Sequence, residues 1–243
     1  CGPTTEIYIN GIEIWNIVFN EYYCESLEVG NQKLEKLDIL GIDTGMGLER
    51  LTMVSQGKKN IFETDLFAPY IELLPEELPE RTKRIIIDHL RGSAFLIADG
   101  VQPSNKEVGY ILRRLLRRIL AYEYQYKLPQ HIFDGILHDM VHEYGEFYPE
   151  LLRAGVNTRD EMRSECDKFL RTLDRGLQSL HLLNNIGAKE AFHLYESYGL
   201  PYEIIKEMGK ERTQNLYRED FEKEFEKHRE VSRAGSKKKF GGH

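Results

Sequence analysis

The chain has 243 residues, 41% of them apolar and 30% charged, which is enough apolar sequence for an ordinary buried core and more than one structural unit. Its net charge of −7 argues against a protein that coats nucleic acid indiscriminately, so any RNA contact has to come from a local basic patch. No apolar run approaches the roughly 20 residues that span a bilayer, and no charged-then-apolar leader precedes the first predicted strand, so we expect a cytoplasmic protein without a membrane partner.

The N-terminal part of the sequence predicts an antiparallel sheet. In three short runs, β-branched and aromatic residues alternate with polar ones, as is typical of half-buried strands. These runs are Glu6–Ile9, Glu13–Tyr23 and Lys36–Thr44. The turn signals Asn10–Gly11 and Gly30–Asn31 separate the runs, so we expect antiparallel strands of a truncated sheet.

After Met46 the apolar period becomes helical and remains so. The predicted helices are Leu48–Gln56, Arg81–Ala98, Lys106–Lys127, Ile132–Tyr144, Glu150–Asn184, Lys189–Ser197, Tyr202–Lys210 and Arg218–Arg233. The expected fold class is therefore α+β, with a truncated antiparallel sheet followed by a mostly α-helical bundle. We expect domains at residues 1–80 and 81–234, and a flexible tail rich in lysine and glycine at residues 235–243.

The cysteines argue against both a disulfide scaffold and a metal site. Cys1, Cys24 and Cys166 are few and scattered, and none lies in a Cys/His cluster with metal-ligand spacing. We expect all three to be reduced and structural. His89 has no metal-ligand spacing around it either, so we expect a structural histidine and no bound metal.

The segment GIDTGMGLER, from Gly41 to Arg50, is the most informative part of the chain. Its glycines predict a strand whose backbone approaches a ligand closely before a helix begins. Arg50 at its end carries a planar, permanently charged fork that can bond two phosphate oxygens at once. The alternative is that Gly45 and Gly47 mark a bulge or turn and that Glu49 and Arg50 are a solvated helix start, and this segment alone leaves both open.

A second candidate site is a basic stripe on a predicted helix. Four arginines recur at i, i+1, i+4 and i+5, which places them along one side of the helix, opposite its leucines. They are Arg113, Arg114, Arg117 and Arg118. The alternative is a solvated face paired with acids such as Glu107 and Glu123. No acid is interleaved among the four arginines, which favours contact with phosphates.

Six segments in this order resemble the alanyl-tRNA synthetases, a family of class II aminoacyl-tRNA synthetases. Besides GIDTGMGLER, they are EIWNIVFNEYY from Glu13, KNIFETDLFAPY from Lys59, IIDHLRGSAFLIADGVQPSN from Ile86, GYILRRLLRRIL from Gly109 and AFHLYESYGLP from Ala191. The resemblance covers essentially the whole chain, from the catalytic domain through the helical tRNA-recognition domain. Within it, GIDTGMGLER looks like the third signature motif of class II synthetases, where the strand-to-helix junction forms a floor for ATP.

The resemblance implies an alanine-tRNA ligase, which activates L-alanine with ATP and transfers it to tRNA-Ala. It implies that Asp43 and Arg50 are catalytic and that Gly45, Gly47, Glu49 and Arg50 bind ATP. Adenylation is an in-line attack by the alanine carboxylate on the α-phosphate, and positioning and neutralised charge accelerate such a reaction. Mg²⁺ is expected to be held mainly by the ATP phosphates, with no zinc in this portion.

The resemblance also implies an alanine pocket formed by Asn16, Val18, Asp43 and Gly45. The Asp43 carboxylate would pair with the α-ammonium group, Asn16 would orient it, and Gly45 would leave space for the ligand. Val18 would lie in the pocket wall, with Trp15 in or behind it. The alternatives are that Val18 and Trp15 are plain core and that Asp43 is the N-cap of the following helix.

For tRNA, the resemblance implies contacts with the acceptor stem. In the family, an asparagine in a PSN element and an aspartate in LYDTYG read the wobble pair of the acceptor stem of alanine tRNA. They correspond to Asn105 and to Glu196, where LYESYG moves the carboxylate by one methylene and puts its contact in doubt. The four arginines would contact RNA phosphates. The alternative for Asn105 is a helix N-cap before Lys106.

The resemblance begins between the second motif and the strands that follow it, and it stops before the family's editing domain. We therefore expect an incomplete chain without motifs 1 and 2 and without the editing domain. One hypothesis is a portion of an alanine-tRNA ligase that works with the missing N-terminal half, in the same or a partner chain. The other is a non-catalytic module that binds the tRNA acceptor stem and retains motif 3.

Overall fold

The computed structural model describes residues 1–25 and 33–228. The predicted turn at Gly30–Asn31 and the predicted tail at residues 235–243 lie outside these ranges. The chain forms two compact units, Cys1–Leu73 and a second unit that begins at Leu74. The division into functional domains at residue 80 stays a prediction.

The first unit contains a three-stranded antiparallel sheet in the order β1-β2-β3. Its strands are β1 (Thr4–Ile9), β2 (Ile12–Cys24) and β3 (Leu34–Met46). Asn10 and Gly11 join β1 to β2 with φ values of 51° and 77°. Positive φ at both central residues characterises a two-residue hairpin turn, because its twist matches that of the flanking strands.

The sheet is followed in the first unit by short helical segments. Helix α1 covers Leu48–Ser55, and Gly47 occupies its N-cap position. A 3-10 turn at Ile61–Glu63 and the short helix α2 (Ala68–Glu72) come next. The sequence pattern predicted α1 but neither of the two later segments.

The second unit is a helical bundle. Its helices are α3 (Glu80–Ala98), α4 (Glu107–Tyr126), α5 (Gln130–Gly145), α6 (Pro149–Leu182), α7 (Ala188–Tyr198) and α8 (Tyr202–Gly209), followed by a 3-10 turn (Lys210–Thr213) and helical residues 218–228. The predicted α+β class, with a sheet followed by a mostly helical bundle, is confirmed. No described helix combines the length and the apolar character that a membrane crossing requires.

Helix α6 organises the bundle, because α3, α4, α5, α7 and α8 all contact it. Its buried face carries Phe169 and Leu173, neither of which is exposed to solvent. These side chains pack with Leu194 of α7 and Ile205 of α8 in one apolar cluster. The cluster therefore joins the C-terminal half of α6 to the helices that follow it.

Replacing Leu173 by alanine should destabilise the bundle by about 2–5 kcal/mol, because the deleted methyl groups leave a cavity in this cluster. Leu182, on the same helix and 83% exposed, provides the control. Its change to alanine should cost less than about 0.5 kcal/mol. Urea unfolding monitored by circular dichroism measures both, and equal losses would contradict the assigned core.

Candidate functional site

The residues expected to bind alanine lie together on adjacent strands. Asn16 of β2 pairs with Gly45 of β3, and Val18 pairs with Asp43. Residues paired across an antiparallel sheet, and residues two apart along a strand, share one face. All four therefore belong to one face of the sheet, in two neighbouring rows about 7 Å apart along the strands. Asn16 and Val18 are half-buried, whereas Asp43 and Gly45 are exposed.

A β-bulge in β2 adds a further residue to this face. In β1, Glu6 pairs with Asn16. Two residues later Tyr8 pairs with Glu13, which lies three residues from Asn16, so β2 contains one extra residue over this stretch. Because Tyr8 and Glu6 share a face, the bulge returns Glu13 to the face of Asn16. Side-chain contacts agree, since Asn16 Nδ2 donates to Glu6 Oε1 at 3.4 Å and the Tyr8 hydroxyl donates to Glu6 Oε2.

Arg50 reaches this face from α1. Its Nη1 donates to the Glu13 carbonyl oxygen at 3.1 Å and lies 3.6 Å from Glu13 Oε2. The hydrogen bond to Glu6 and the charges of Glu6 and Glu13 raise the pKa of the Tyr8 hydroxyl, while the charge of Arg50 lowers it. The face thus has a carboxylate at Asp43 and a guanidinium beside Glu13, with Asn16 and Gly45 in the row between them.

The space around the two glycines differs. A methyl group at Gly45 would meet no described atom within 4 Å, so the strand surface is open there. A methyl group at Gly47 would lie 3.5 Å from Cβ and Cδ of Arg50, which is ordinary van der Waals contact, so the space at Gly47 is bordered by the stem of that arginine. Glu49 lies in the first turn of α1. The alternative of a bulge or turn is wrong for Gly45, which is an extended strand residue. For the rest of the segment it agrees with the structure, because Gly47 is the N-cap of α1 and Arg50 is exposed in its first turn.

The structure also bears on the alternatives for Asp43, as a helix N-cap, and for Trp15, as a core residue. Asp43 lies inside β3, and Gly47 is the N-cap of α1, so Asp43 is not an N-cap. Trp15 is half-buried, and its Nε1 donates to Thr44 Oγ1 at 2.6 Å. Thr44 Oγ1 in turn donates to the Asn16 carbonyl oxygen at 2.9 Å. Trp15 therefore ties β2 to β3 from the face opposite Asn16, which places it behind the proposed pocket.

In the second unit, the arginines of α4 are half-buried and two of them share one acid. Glu165 of α6 is 1% exposed, and its Oε1 accepts from Arg117 Nε at 2.8 Å. The same oxygen lies 3.2 Å from Arg113 Nε. The partner acid therefore comes from another helix, so the absence of an interleaved acid in α4 does not mean that these arginines are unpaired.

Arg113 and Arg117 also extend to backbone segments on either side. Arg113 Nη1 donates to Asn105 Oδ1, and its Nη2 donates to the Pro103 carbonyl oxygen at 3.3 Å. Arg117 Nη1 donates to the Gly199 carbonyl oxygen at 3.1 Å, immediately after α7. The N-cap alternative for Asn105 is wrong, because Lys106 occupies the N-cap position of α4. No side chain forms a capping hydrogen bond at that helix start.

The remaining predicted RNA contacts have other neighbours. The Arg114 guanidinium lies 5.9 Å from the ring centre of Tyr110. Arg118 Nη1 lies 3.4 Å from His89 Nε2, and the structural role of His89 stays a prediction. Glu196 of α7 is half-exposed, and its Oε1 lies 2.7 Å from His228 Nε2.

Metal and thiol chemistry can be assessed for residues 1–25 and 33–228. In that part of the chain, no three His, Cys, Asp or Glu side chains form a group able to hold a metal ion. All three cysteines are free thiols, of which Cys166 is buried and Cys1 is exposed, and their structural role stays a prediction. Burial raises the pKa of the Cys166 thiol to about 11, so this thiol stays protonated at neutral pH.

A comparison with known protein families accounts for this arrangement. The family model of class II tRNA synthetases (A) matches residues 4–241. The chain belongs to the class II tRNA synthetase family. The same match includes both the sheet face around Asp43 and the arginine helix α4, so both candidate sites lie in the part of the chain that matches the family.

Curated class II synthetases similar to this chain are alanine–tRNA ligases. The enzyme of Fervidobacterium nodosum is 39% identical over an alignment of 235 positions that covers 91% of this chain and 27% of that protein. The enzyme of Borrelia garinii is 34% identical over an alignment of 277 positions, gaps included, that covers 100% of this chain and 46% of that protein. The enzyme of Thermotoga maritima is 36% identical over an alignment of 236 positions that covers 92% of this chain and 27% of that protein. The chain therefore spans less than half the length of these relatives.

Sequence reasoning missed two residues of this synthetase chain. Glu13 was assigned to a strand but not to the site, because strict alternation places it on the face opposite Asn16. Glu165 lies in a long helix among other charged residues, and no local pattern distinguishes it from solvated acids such as Asp167. The pairing of Glu165 with α4 depends on helix packing, which the local sequence does not specify.

The contact between Arg117 and Gly199 predicts an asymmetric pair of glycine substitutions. Gly199 and Gly100 both have positive φ, at 72° and 86°. A methyl group at Gly100 would meet no described atom within 4 Å, whereas one at Gly199 would lie 1.8 Å from Arg117 Nη1. Gly100→Ala should therefore cost about 1–2 kcal/mol for its backbone conformation alone. Gly199→Ala should cost at least about 2 kcal/mol more, because it also displaces the guanidinium. Urea unfolding measures the difference between the two losses of stability. Equal losses would show that the position of Arg117 against Gly199 does not contribute to stability.

Proposed function

We propose that the sheet face of this chain binds L-alanine and ATP in an alanine–tRNA ligase, and that the helical unit binds the acceptor stem of tRNA-Ala. Membership of the class II synthetase family and the names of the similar proteins support this proposal. The observation that carries it is the cross-strand block of Asn16, Gly45, Val18 and Asp43, with Arg50 beyond one end.

The charge order along this block fits an aminoacyl-adenylate. Such a molecule carries an ammonium group at its amino-acid end and a phosphate next to it. Asp43 supplies a carboxylate for the ammonium group, and Arg50 supplies a guanidinium for the phosphate. The exposed backbone at Gly45 lies in the row between them, where a side chain would fill the space the ligand needs. Val18 packs beside Asp43 and provides an apolar contact for the methyl group of alanine.

We propose that this surface accelerates adenylation by placing the alanine carboxylate in line with the α-phosphate of ATP. No side chain has to transfer a proton in that step. Arg50 stabilises negative charge on the phosphates, while Gly47 and Glu49 form the adjoining strand-to-helix junction. Mg²⁺ would be carried mainly by the ATP phosphates, where it neutralises charge.

The contact with Glu13 holds the Arg50 guanidinium in a defined position before ATP binds. The bond to the Glu13 carbonyl holds the guanidinium at the end of the block, and the Glu13 carboxylate balances its charge. An exposed ion pair of this kind contributes about 0–1 kcal/mol. ATP phosphates can therefore displace the carboxylate at little cost while the carbonyl bond keeps Arg50 in place.

For RNA, we propose that Asn105 and Glu196 read the wobble pair and that Arg113, Arg114, Arg117 and Arg118 contribute positive charge. The Asn105 side chain is exposed, and the bond from Arg113 to its oxygen leaves the amide nitrogen to donate outward. The Glu196 carboxylate is partly exposed and accepts hydrogen bonds. Because Arg113 and Arg117 are paired with Glu165, their role combines positioning with charge.

The curated relatives contain segments outside the region matched here. We propose that the complete reaction requires such segments, in the same or a partner polypeptide, and that it takes place in the cytoplasm. The alternative, a module that binds an acceptor stem without catalysis, predicts no affinity of the sheet for the adenylate.

The sulfamoyl analogue of alanyl-adenylate, whose sulfamate stands in for the phosphate, tests the sheet site. Calorimetric titration should show binding to the unmodified chain. Asp43→Asn should weaken binding at least tenfold, by about 1.5–3 kcal/mol, because it removes a charge-assisted contact. Gly45→Ala should weaken it about tenfold by filling the ligand space. Quenching of Trp15, the chain's one tryptophan, provides a second readout.

Asp38→Asn is the matched control, because Asp38 lies on the same strand, β3, and is also exposed. It should leave binding of the analogue unchanged. If Asp43→Asn and Asp38→Asn bind equally well, the carboxylate assigned to the ammonium group is wrong. If the unmodified chain binds no analogue, the non-catalytic alternative is favoured for this chain.

An acceptor-stem hairpin of tRNA-Ala tests the helical unit. The unmodified chain should bind the hairpin with its wobble pair more tightly than one with a Watson–Crick pair at that position. Asn105→Ala should reduce this preference by about 1–3 kcal/mol, since a base-edge contact is lost. Gln102→Ala, an exposed change in the same loop, should preserve it. Fluorescence anisotropy measures the affinity of each of the three proteins for each of the two hairpins, and an unaltered preference in Asn105→Ala would exclude base recognition by that residue.

A further inference from the structure

Two separate backbone segments of the helical unit are linked, through two arginine side chains, to one buried carboxylate. The loop before α4 carries Asn105, the last turn of α7 carries Glu196, and Gly199 follows that helix directly. Arg113 holds the loop and Arg117 holds the α7 end. Both guanidinium groups converge on Glu165 Oε1. A continuous chain of polar contacts therefore joins Asn105 to the last turn of α7.

The loop before α4 is folded tightly enough for this chain of contacts to place Asn105. Ser104 N donates to the Gly109 carbonyl oxygen at 3.0 Å, and Arg113 Nη2 bonds Pro103 at 3.3 Å. A methyl group at Gly109 would lie 2.5 Å from the Gln102 carbonyl oxygen, so the loop lies directly against the first turn of α4. Moving Arg113 would therefore remove two side-chain contacts of this loop, those to Asn105 and Pro103.

The α7 end is held in a similar way. Arg117 Nη1 bonds the Gly199 carbonyl, three residues beyond Glu196, and the Arg117 guanidinium lies 4.9 Å from the ring centre of Phe169. Thr172 Oγ1 donates to the Tyr198 carbonyl oxygen at 3.0 Å, also from α6. The last turn of α7 is thus fixed against α6 by Thr172 directly and by Arg117, which lies between Glu165 and Phe169 of α6.

We infer that Glu165 is a positioning residue that sets the distance between Asn105 and Glu196, so that both reach one base pair of the RNA together. This inference rests on the proposed function of the helical unit. Glu165 does not itself touch the RNA, because it is 1% exposed. It acts by orienting Arg113 and Arg117 at once, because its Oε1 lies 3.2 Å and 2.8 Å from their Nε atoms.

The arrangement of charge explains why a carboxylate is suited to this position. Arg113 and Arg117 have side chains 20% and 18% exposed, and they lie one helical turn apart in α4. Like charges at this spacing repel each other, and one shared oxygen draws both toward α6. Glu165→Gln keeps the size and one acceptor oxygen but removes the charge, so the two arginines would separate and take other conformations.

Hydrogen–deuterium exchange on the whole chain tests the positioning directly. Glu165→Gln should increase exchange about tenfold or more in two peptides, residues 101–109 and 194–200, since weakening one buried charge-assisted contact opens both. Asp167→Asn, an exposed change two residues along α6, is the matched control and should alter neither peptide. If neither peptide exchanges faster in Glu165→Gln, the inference is overturned.

Two further variants keep the test decisive if Glu165→Gln fails to fold in a thermal melt. Arg113→Lys should increase exchange in residues 101–109 alone, because one ammonium group cannot lie beside Glu165 and also bond both Asn105 and Pro103. Arg117→Lys should do so in residues 194–200 alone. Faster exchange of both peptides in each variant, or of neither, would contradict the inference that Glu165 positions the two segments separately through Arg113 and Arg117.

Recognition is measured with the two acceptor-stem hairpins. In Glu165→Gln, the preference for the wobble-paired hairpin should fall about tenfold, with a smaller loss of overall affinity because the arginine charges remain. Faster exchange without any change in preference would overturn the role in recognition. A lack of preference in the unmodified chain would instead refute the proposed RNA function, and with it the role of Glu165, while the exchange data would still report whether Glu165 couples the two segments.

Discussion

Two cross-strand pairs between β2 and β3 are the constraint on which the proposed adenylate site depends. They place Asn16 against Gly45 and Val18 against Asp43, so residues from two segments of the sequence share one face. A shift of one residue in this register would turn Asp43 away from that face. The bond from Trp15 to Thr44 on the opposite face joins the same two strands. The bulge in β2 then brings Glu13, and through it Arg50, to the end of the block.

The helical unit uses a different device for the same purpose. Its candidate RNA contacts lie on α4, on the loop before it and on α7, and backbone hydrogen bonds within helices do not set the distances between these elements. Packing on α6 sets them, together with the buried carboxylate of Glu165. In both units, an arginine lies beside an acidic side chain and donates to a backbone carbonyl, as Arg50 does at Glu13 and as Arg117 does at Glu165 and Gly199.

The sequence predicted much of the fold, because its patterns are local. Alternation and the Asn10–Gly11 turn predicted β1 and β2, and helical periodicity predicted α3 and α6 to within a few residues at each end. It could not predict the bulge at Ile14, because a bulge is visible only once two strands are paired. Membership of the synthetase family was likewise identified from motifs. The spatial partners of α4 were not, since Glu165 is 48 residues from Arg117 in the chain. The same limit explains why Asn105 was open to assignment as a helix cap.

Nuclear magnetic resonance of the isotope-labelled chain, titrated with the sulfamoyl analogue of alanyl-adenylate, tests the central claim most directly. The account predicts that the largest amide shifts occur at Asn16, Val18, Asp43 and Gly45, followed by Arg50. Residues of the opposite face such as Ile42 should shift less. Shifts confined to other residues, or no shifts at a ligand concentration that saturates alanine–tRNA ligases, would contradict the claim that this cross-strand block is the site.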